Sequence, residues 1–139
     1  MKGKVVGIGG VFFESNSPDE IKDWYAENLG LSTNKYGALF QFKKHSDNSS
    51  AFLQWSAMKK PVDYFTPSTV PFMINYRVTN LEDLLQTLKK KGISQIGETE
   101  VFEYGKFAWI LDPEGRKIEL WEPVDSAFEG EFNKDAITE

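Results

Sequence analysis

The sequence predicts an α+β fold in which two βαβββ modules form a concave cleft. One observation is a repeat, since a strand, a helix and three further strands occur twice in the same order. The other is length, because each half is too short to bury both faces of a sheet alone. We expect the halves to pair two sheets, with helices on the outer faces and a ligand-sized cleft between the inner faces.

The predicted domain spans residues 5–123 and is followed by a polar, acidic tail at 124–139. Its two modules and the segment that connects them lie at about residues 5–57, 71–123 and 58–70. Prolines interrupt the connecting segment, which we therefore expect to be an ordered loop. The large apolar side chains of the tail are Phe128 and Phe132, through which it either packs or remains mobile.

The first module begins with a strand over residues 5–13, in which Gly9 and Gly10 permit a bulge or the close approach of another group. Ser17 is a predicted N-cap, because proline and two acidic residues follow it. Gly30 is the predicted end of this helix. Extended segments are then predicted at 31–36, 38–43 and 51–56.

The second module begins with a strand over residues 72–79, and Asn80 is the predicted N-cap of a helix that ends at Gly92. Leucines at helical spacing supply its apolar face, at positions 81, 84, 85 and 88. Extended segments follow at 93–96 and 100–104. A hairpin then joins strands at 107–111 and 117–121 through a predicted turn, residues 112–115 (Asp-Pro-Glu-Gly).

The last strand places a carboxylate beside an indole on one face. Alternation puts Ile118 and Leu120 on the opposite face from Glu119 and Trp121. If the apolar pair packs under a helix, Glu119 faces the cleft, where it is a candidate general base or ligand-orienting group. The alternative is a buried carboxylate that an internal partner satisfies.

The same alternation turns Met73, Asn75 and Arg77 toward the cleft, whereas their neighbours face the second helix. Aromatic residues make up 14% of the chain and fill a core or line a site for a flat ligand. The rings considered for such a cage are Phe12, Trp55, Tyr64, Phe65, Tyr104, Trp109 and Trp121. The ligand-binding candidates are Phe12, Gln54, Met73, Asn75, Arg77, Trp109 and Trp121, with Glu119 as the catalytic candidate.

Composition excludes several classes of function. A net charge of −5 disfavours nucleic acid and anionic membranes as partners. The absence of cysteine excludes disulfides and thiolate sites. His45 is the single histidine and lies near a predicted turn, so a metal site with two histidines cannot form within this chain. No signal-peptide pattern or membrane-length apolar stretch occurs, so we expect a cytoplasmic protein.

Several short sequence motifs occur along the chain in a characteristic order. They are residues 7–13 (Gly-Ile-Gly-Gly-Val-Phe-Phe), 28–31 (Asn-Leu-Gly-Leu), 76–78 (Tyr-Arg-Val), and 112–115 running into 118–121 (Ile-Glu-Leu-Trp). In this order and spacing, the chain resembles the glyoxalase/bleomycin-resistance/extradiol-dioxygenase superfamily, also called vicinal oxygen chelate proteins. The resemblance covers about residues 5–123.

The resemblance implies a cleft that holds a divalent cation in metal-dependent members. The family's ligand positions fall on Gly10 and Met73 in the first strands, and on Gln54 and Glu119 in the last strands. Gln54 and Glu119 match the family's ligand types. Gly10 has no side-chain donor, and the Met73 thioether is a poor ligand for a hard cation. We therefore expect no metal or other cofactor, and at best a weakly bound divalent ion.

Two hypotheses remain open at this point. In the first, a glyoxalase-like protein with a degenerate metal site binds a small, partly aromatic or amphipathic molecule in the cleft. In the second, the chain is a lyase, isomerase or dioxygenase that uses Glu119 as a metal ligand or general base. The resemblance also implies that the first and last strands of a module are neighbours, so that Asn75 or Arg77 can pair with Glu119, and that the protein is a homodimer.

Overall fold

The computed structural model describes residues 2–129 and 134–138. The helices in this part of the chain are α1 (Pro18–Leu29) and α2 (Leu81–Lys90). The strands in the same residues are β1 (Lys4–Ser15), β2 (Ala38–Lys43), β3 (Ser50–Lys59), β4 (Phe72–Thr79), β5 (Glu100–Phe102), β6 (Gly105–Leu111), β7 (Lys117–Pro123) and β8 (Ile137–Thr138). Short 3₁₀ helices lie at Asp63–Phe65, Asp125–Phe128 and Lys134–Ala136. The α+β class is confirmed.

All of these strands join one mixed sheet in the order β5-β6-β7-β4-β1-β3-β2-β8. The expectation of two separate sheets is wrong, because β1 and β4 pair antiparallel and join the two modules edge to edge. Within each half, the first strand pairs in parallel with the last, β1 with β3 and β4 with β7. The two halves are therefore related by an approximate two-fold axis between β1 and β4.

The first half departs from the predicted three strands after its helix. Residues 31–36 form an isolated bridge between Asn34 and Gly37 instead of a strand. The Asn34 side chain accepts a hydrogen bond from the Tyr36 backbone N–H (2.8 Å), which closes a local turn. The outer edge beside β2 is occupied by β8, from the tail. Residues 93–96 likewise form no strand.

Ser17 and Asn80 are the N-caps of the two helices and Gly30 is the C-cap of α1, as predicted. Neither Ser17 nor Asn80 makes a side-chain cap hydrogen bond. Instead, the first backbone N–H of α2, at Leu81, donates to Glu122 Oε1 (2.7 Å). A carboxylate at this end of a helix is favourable because the helix dipole is positive there. The capping acid therefore comes from β7.

The apolar pattern of α2 packs as predicted against the outer face of the second half. Leu81, Val78, Ala108, Ile110 and Leu120 form a buried cluster, with the α2 leucines and Ile118 packed against it. Because Ile118 and Leu120 lie under α2, Glu119 faces the opposite, concave side of the sheet. Neither helix in the described residues has the length and apolarity to cross a membrane.

Candidate functional site

The concave face of the sheet forms a cavity of about 490 Å³. Central strands form its floor through Gly9, Asn75 and Glu119. The segment after β3 closes one end with Tyr64, and the 3₁₀ helix of the tail contributes Phe128. The size suits a small organic molecule.

Four positions form a line across the sheet. Gly10 pairs with Gln54 on β3 and with Asn75 on β4, and Asn75 pairs with Glu119 on β7. Met73, on which the resemblance places one of the family's ligand positions, lies two residues before Asn75 on β4 and pairs with Phe12.

Glu119 is the centre of the site and is 2% exposed. Its Oε1 accepts from Asn75 Nδ2 (2.6 Å), and its Oε2 accepts from Trp109 Nε1 (2.9 Å) and from the Tyr64 hydroxyl. All three donors are neutral. Of the two partners expected for Glu119, Asn75 is the one that contacts it.

Burial raises the pKa of Glu119, and the hydrogen bonds from Tyr64, Asn75 and Trp109 oppose that rise. Burial, reinforced by the negative charge of Glu119, also raises the pKa of the Tyr64 hydroxyl, which therefore remains a donor. Lys117 donates to the Tyr64 carbonyl oxygen (2.7 Å), and burial lowers the pKa of its ammonium group. These contacts hold Tyr64 against the carboxylate.

Aromatic rings form the walls of the cavity. Trp121 stacks on Phe107, with ring centroids 5.8 Å apart and an interplanar angle of 8°. Two glycines make room for the indole, since a Cβ added to Gly9 would lie 2.8 Å from Trp121 Cε3 and one added to Gly105 2.4 Å from Nε1. Gly105 also has φ +138°, which L side chains rarely adopt. The predicted close approach to Gly9 is thus the approach of Trp121.

Arg77 lies on the concave side of the sheet but does not pair with Glu119. Its guanidinium donates through both Nη atoms to Asp125, and through Nη1 to the Phe52 carbonyl oxygen (3.0 Å). It also lies 5.3 Å from the Trp121 ring centroid. Arg77 therefore anchors the tail behind the wall, and it is not among the residues that line the cavity.

The other predicted residues divide between the cavity and the core. Phe12, Gln54, Trp109 and Trp121 line the cavity. Met73 is instead buried in a cluster with Phe65 and Trp109. Trp55 lies on the outer side, where it contacts Phe13 and Tyr25 of α1. His45 is exposed in the turn between β2 and β3.

Several lining residues were not singled out from the sequence. They are Tyr36, Ser56, Glu100, Phe102, Phe107 and Phe128. Alternation along β6 places Phe107 on the same face as Trp109. The reasoning that was applied to β7 would therefore also have predicted Phe107 as a lining residue. Phe128 enters the wall because the tail packs through this ring, one of the two outcomes expected for it. Phe132 lies outside the described residues.

A divalent metal does not fit this donor set. Gly10 offers no side chain, and Met73 offers only a thioether, a poor ligand for a hard cation. Both oxygens of Glu119 already accept hydrogen bonds from protein donors. Among the described residues, no group of three or more His, Cys, Asp or Glu side chains is arranged to hold a metal ion.

Comparisons with known proteins identify the fold. Methylmalonyl-CoA epimerase from Mycobacterium tuberculosis superposes with a TM-score of 0.59 at 19% identity, over 88% of this chain and 91% of that one. The Streptomyces coelicolor enzyme of the same name gives 0.62 at 10% identity, over 87% and 99%. BphC, a halotolerant catechol dioxygenase, gives 0.51 at 14% identity, over 86% and 40%. No protein-family profile and no curated protein sequence matches the chain. The chain therefore shares the fold of these proteins.

Proposed function

We propose that this chain, which has the vicinal oxygen chelate fold, binds a small, partly aromatic molecule in its cavity without using a metal. The single observation that carries this proposal is the environment of Glu119. Protein donors occupy both of its oxygens, at the position where metal-dependent members of the fold place a ligand. The carboxylate thus organises the cavity floor, and the rings around it provide the contact surface for a flat molecule.

The tryptophans provide the experiment. Trp109 and Trp121 line the cavity, whereas Trp24 and Trp55 do not. A bound aromatic molecule is expected to quench tryptophan fluorescence in the wild type. This quenching should be reduced in Trp121→Phe, where Trp109 alone still reports from the cavity, and should persist unchanged in Trp24→Phe, a matched control because Trp24 is exposed on α1. Equal quenching in both variants would place the ligand outside the cavity.

Metal analysis of the purified protein is the companion measurement. The proposal predicts substoichiometric Zn, Ni, Mn and Fe, with no difference between the wild type and Glu119→Gln. Tightly bound metal at one equivalent that is lost in Glu119→Gln would overturn the proposal.

A second candidate function is enzymatic, with Glu119 as a general base in a lyase, isomerase or dioxygenase. The observation that favours it is the raised pKa of this buried carboxylate in a ligand-sized cavity. Turnover separates the two functions. If a ligand captured from the cavity is converted by the wild type but not by Glu119→Gln, as followed by mass spectrometry, the chain is an enzyme.

The assembly that we propose is a homodimer. Val5, Ile8 and Phe72 lie on the outer face of the sheet, because their strand partners there are Val78, Tyr76 and Phe13. All three are exposed large apolar side chains, as is Trp24 on the same side of the sheet. A second copy of the chain would remove this apolar surface from water.

A further inference from the structure

The amide oxygen of Asn75 is a buried acceptor that lacks a hydrogen-bond partner. Asn75 is 2% exposed, and its Nδ2 donates to Glu119, which fixes the orientation of the amide. The oxygen is therefore directed toward Gly9, where an added Cβ would lie 2.3 Å from it. Both residues line the cavity. A buried acceptor without a donor is costly, so a donor on the ligand would satisfy it.

The amide and indole N–H donors around the cavity are already used. Those of Asn75 and Trp109 point at Glu119. Gln54 Nε2 donates to the Tyr36 carbonyl oxygen (2.9 Å), and Trp121 Nε1 donates to that of Tyr104 (3.0 Å). Phenol hydroxyls both donate and accept, so those that line the cavity do not select for either property.

The charges around the cavity are negative. Glu119 and Glu100 are among its lining residues, and no lysine or arginine is among them. Lys117 lies over the rings of Tyr64 and Trp109, with its ammonium group hydrogen-bonded to a backbone carbonyl oxygen. Aromatic faces attract cations and carboxylates repel anions, so this environment disfavours a negatively charged ligand.

From these three features we infer that the ligand is a flat, neutral or cationic molecule that donates an N–H hydrogen bond to Asn75 Oδ1, and that the cavity discriminates against carboxylates. This inference rests on the proposed function and specifies the chemical class of the ligand.

Two isosteric pairs of probes test the inference on the wild-type protein. Indole has an N–H donor where benzofuran has an ether oxygen. Benzamidine is a cationic donor, whereas benzoate is an anionic acceptor of similar shape. We expect indole to bind about fivefold to tenfold more tightly than benzofuran, as one hydrogen bond predicts. Benzoate should bind at least about tenfold more weakly than benzamidine. Calorimetry gives the affinities, and the indole ¹H–¹⁵N signals of Trp109 and Trp121 show that the probes occupy the cavity.

Benzofuran and benzoate binding as tightly as their partners would overturn the inference while leaving the proposed function intact. Failure of all four probes to shift these two tryptophan signals at millimolar concentration would contradict the proposed function itself. Asn75→Ala should bring the indole-to-benzofuran ratio close to one, whereas Gln54→Ala should preserve it. Because the ratio compares two probes on the same variant, it distinguishes loss of the acceptor from a general weakening of binding at the site. If Asn75→Ala does not fold, the wild-type comparison decides.

Discussion

The carboxylate of Glu119 is buried in the protein interior. The three groups that donate hydrogen bonds to it are all neutral. Burying a carboxylate costs several kcal/mol, and each hydrogen bond to a charged group returns about 1.5–3 kcal/mol. Three such bonds make burial tolerable and also fix the positions of Tyr64, Asn75 and Trp109. The residue therefore shapes the floor of the cavity in the absence of any ligand.

The raised pKa of Glu119 predicts how stability depends on pH. Because the pKa of Glu119 is raised from the ordinary carboxyl value of 4.5, the folded state retains this proton to a higher pH than the unfolded state does. The contribution of Glu119 is thus fully present below that value and is lost as pH rises through the folded pKa, by up to about 1.4 kcal/mol per pH unit. Glu119→Gln should abolish this fall, as measured by urea unfolding at a series of pH values. Glu98→Gln, at an exposed site, should keep the wild-type profile; an unchanged profile in Glu119→Gln would refute the assignment.

Gly9 is required by the close packing above it. Gly9→Ala would place a methyl group 2.3 Å from Asn75 Oδ1 and 2.8 Å from Trp121, and should cost about 1–3 kcal/mol of unfolding free energy. Gly7→Ala on the same strand meets nothing within 4 Å and should be close to neutral. Thermal and urea unfolding of the pair give the comparison. Equal effects of the two substitutions would mean that the packing around Gly9 is looser than described.

At the scale of elements, the tail completes both the sheet and the cavity wall. Its β8 strand extends the edge beside β2, and Phe128 packs against Phe52 and Trp121. Asp125 attaches the tail to the sheet by pairing with Arg77, which is 4% exposed. Removing one partner of a buried pair leaves an uncompensated charge in the interior.

Asp125→Ala should therefore cost about 3–5 kcal/mol of unfolding free energy. The matched control is Glu82→Ala, which breaks the more exposed Lys106–Glu82 pair and should cost less than about 1 kcal/mol. Chemical denaturation measures both. A cost for Asp125→Ala no greater than that of the control would show that the tail is not anchored through Arg77.

An element could be predicted from the sequence when the residues that determine it are close together in the chain. Both helices and the hairpin of β6 and β7 depend on local patterns and were predicted. Alternation alone placed Glu119 and Asn75 on the concave side. The contact of Tyr64 with Glu119, the pairing of Arg77 with Asp125, and the position of β8 join residues that are distant in the sequence, and no local pattern encodes them.

At the scale of the whole molecule, the continuous sheet leaves its outer face partly uncovered between the two halves. The proposed dimer would use this face, and it predicts a dimeric mass by size-exclusion chromatography with light scattering. Ile8→Asp should shift the protein toward monomer, because the substitution places a charge in the apolar contact. Val101→Asp on β5 is the control, as Val101 is also exposed and lies at an edge of the sheet, away from β1. A monomeric wild type would contradict the proposed assembly.

The central claim is that the cavity binds aromatic molecules without a metal, and a titration of chelator-treated protein tests it most directly. Uniformly ¹⁵N-labelled protein is dialysed against EDTA and titrated with indole, and the side-chain N–H signals of the four tryptophans are recorded. We predict that the signals of Trp109 and Trp121 shift with a saturable dependence on indole while that of Trp24 stays in place. Shifts that appear only after Zn²⁺ or Mn²⁺ is restored, or that occur equally at Trp24, would contradict the claim.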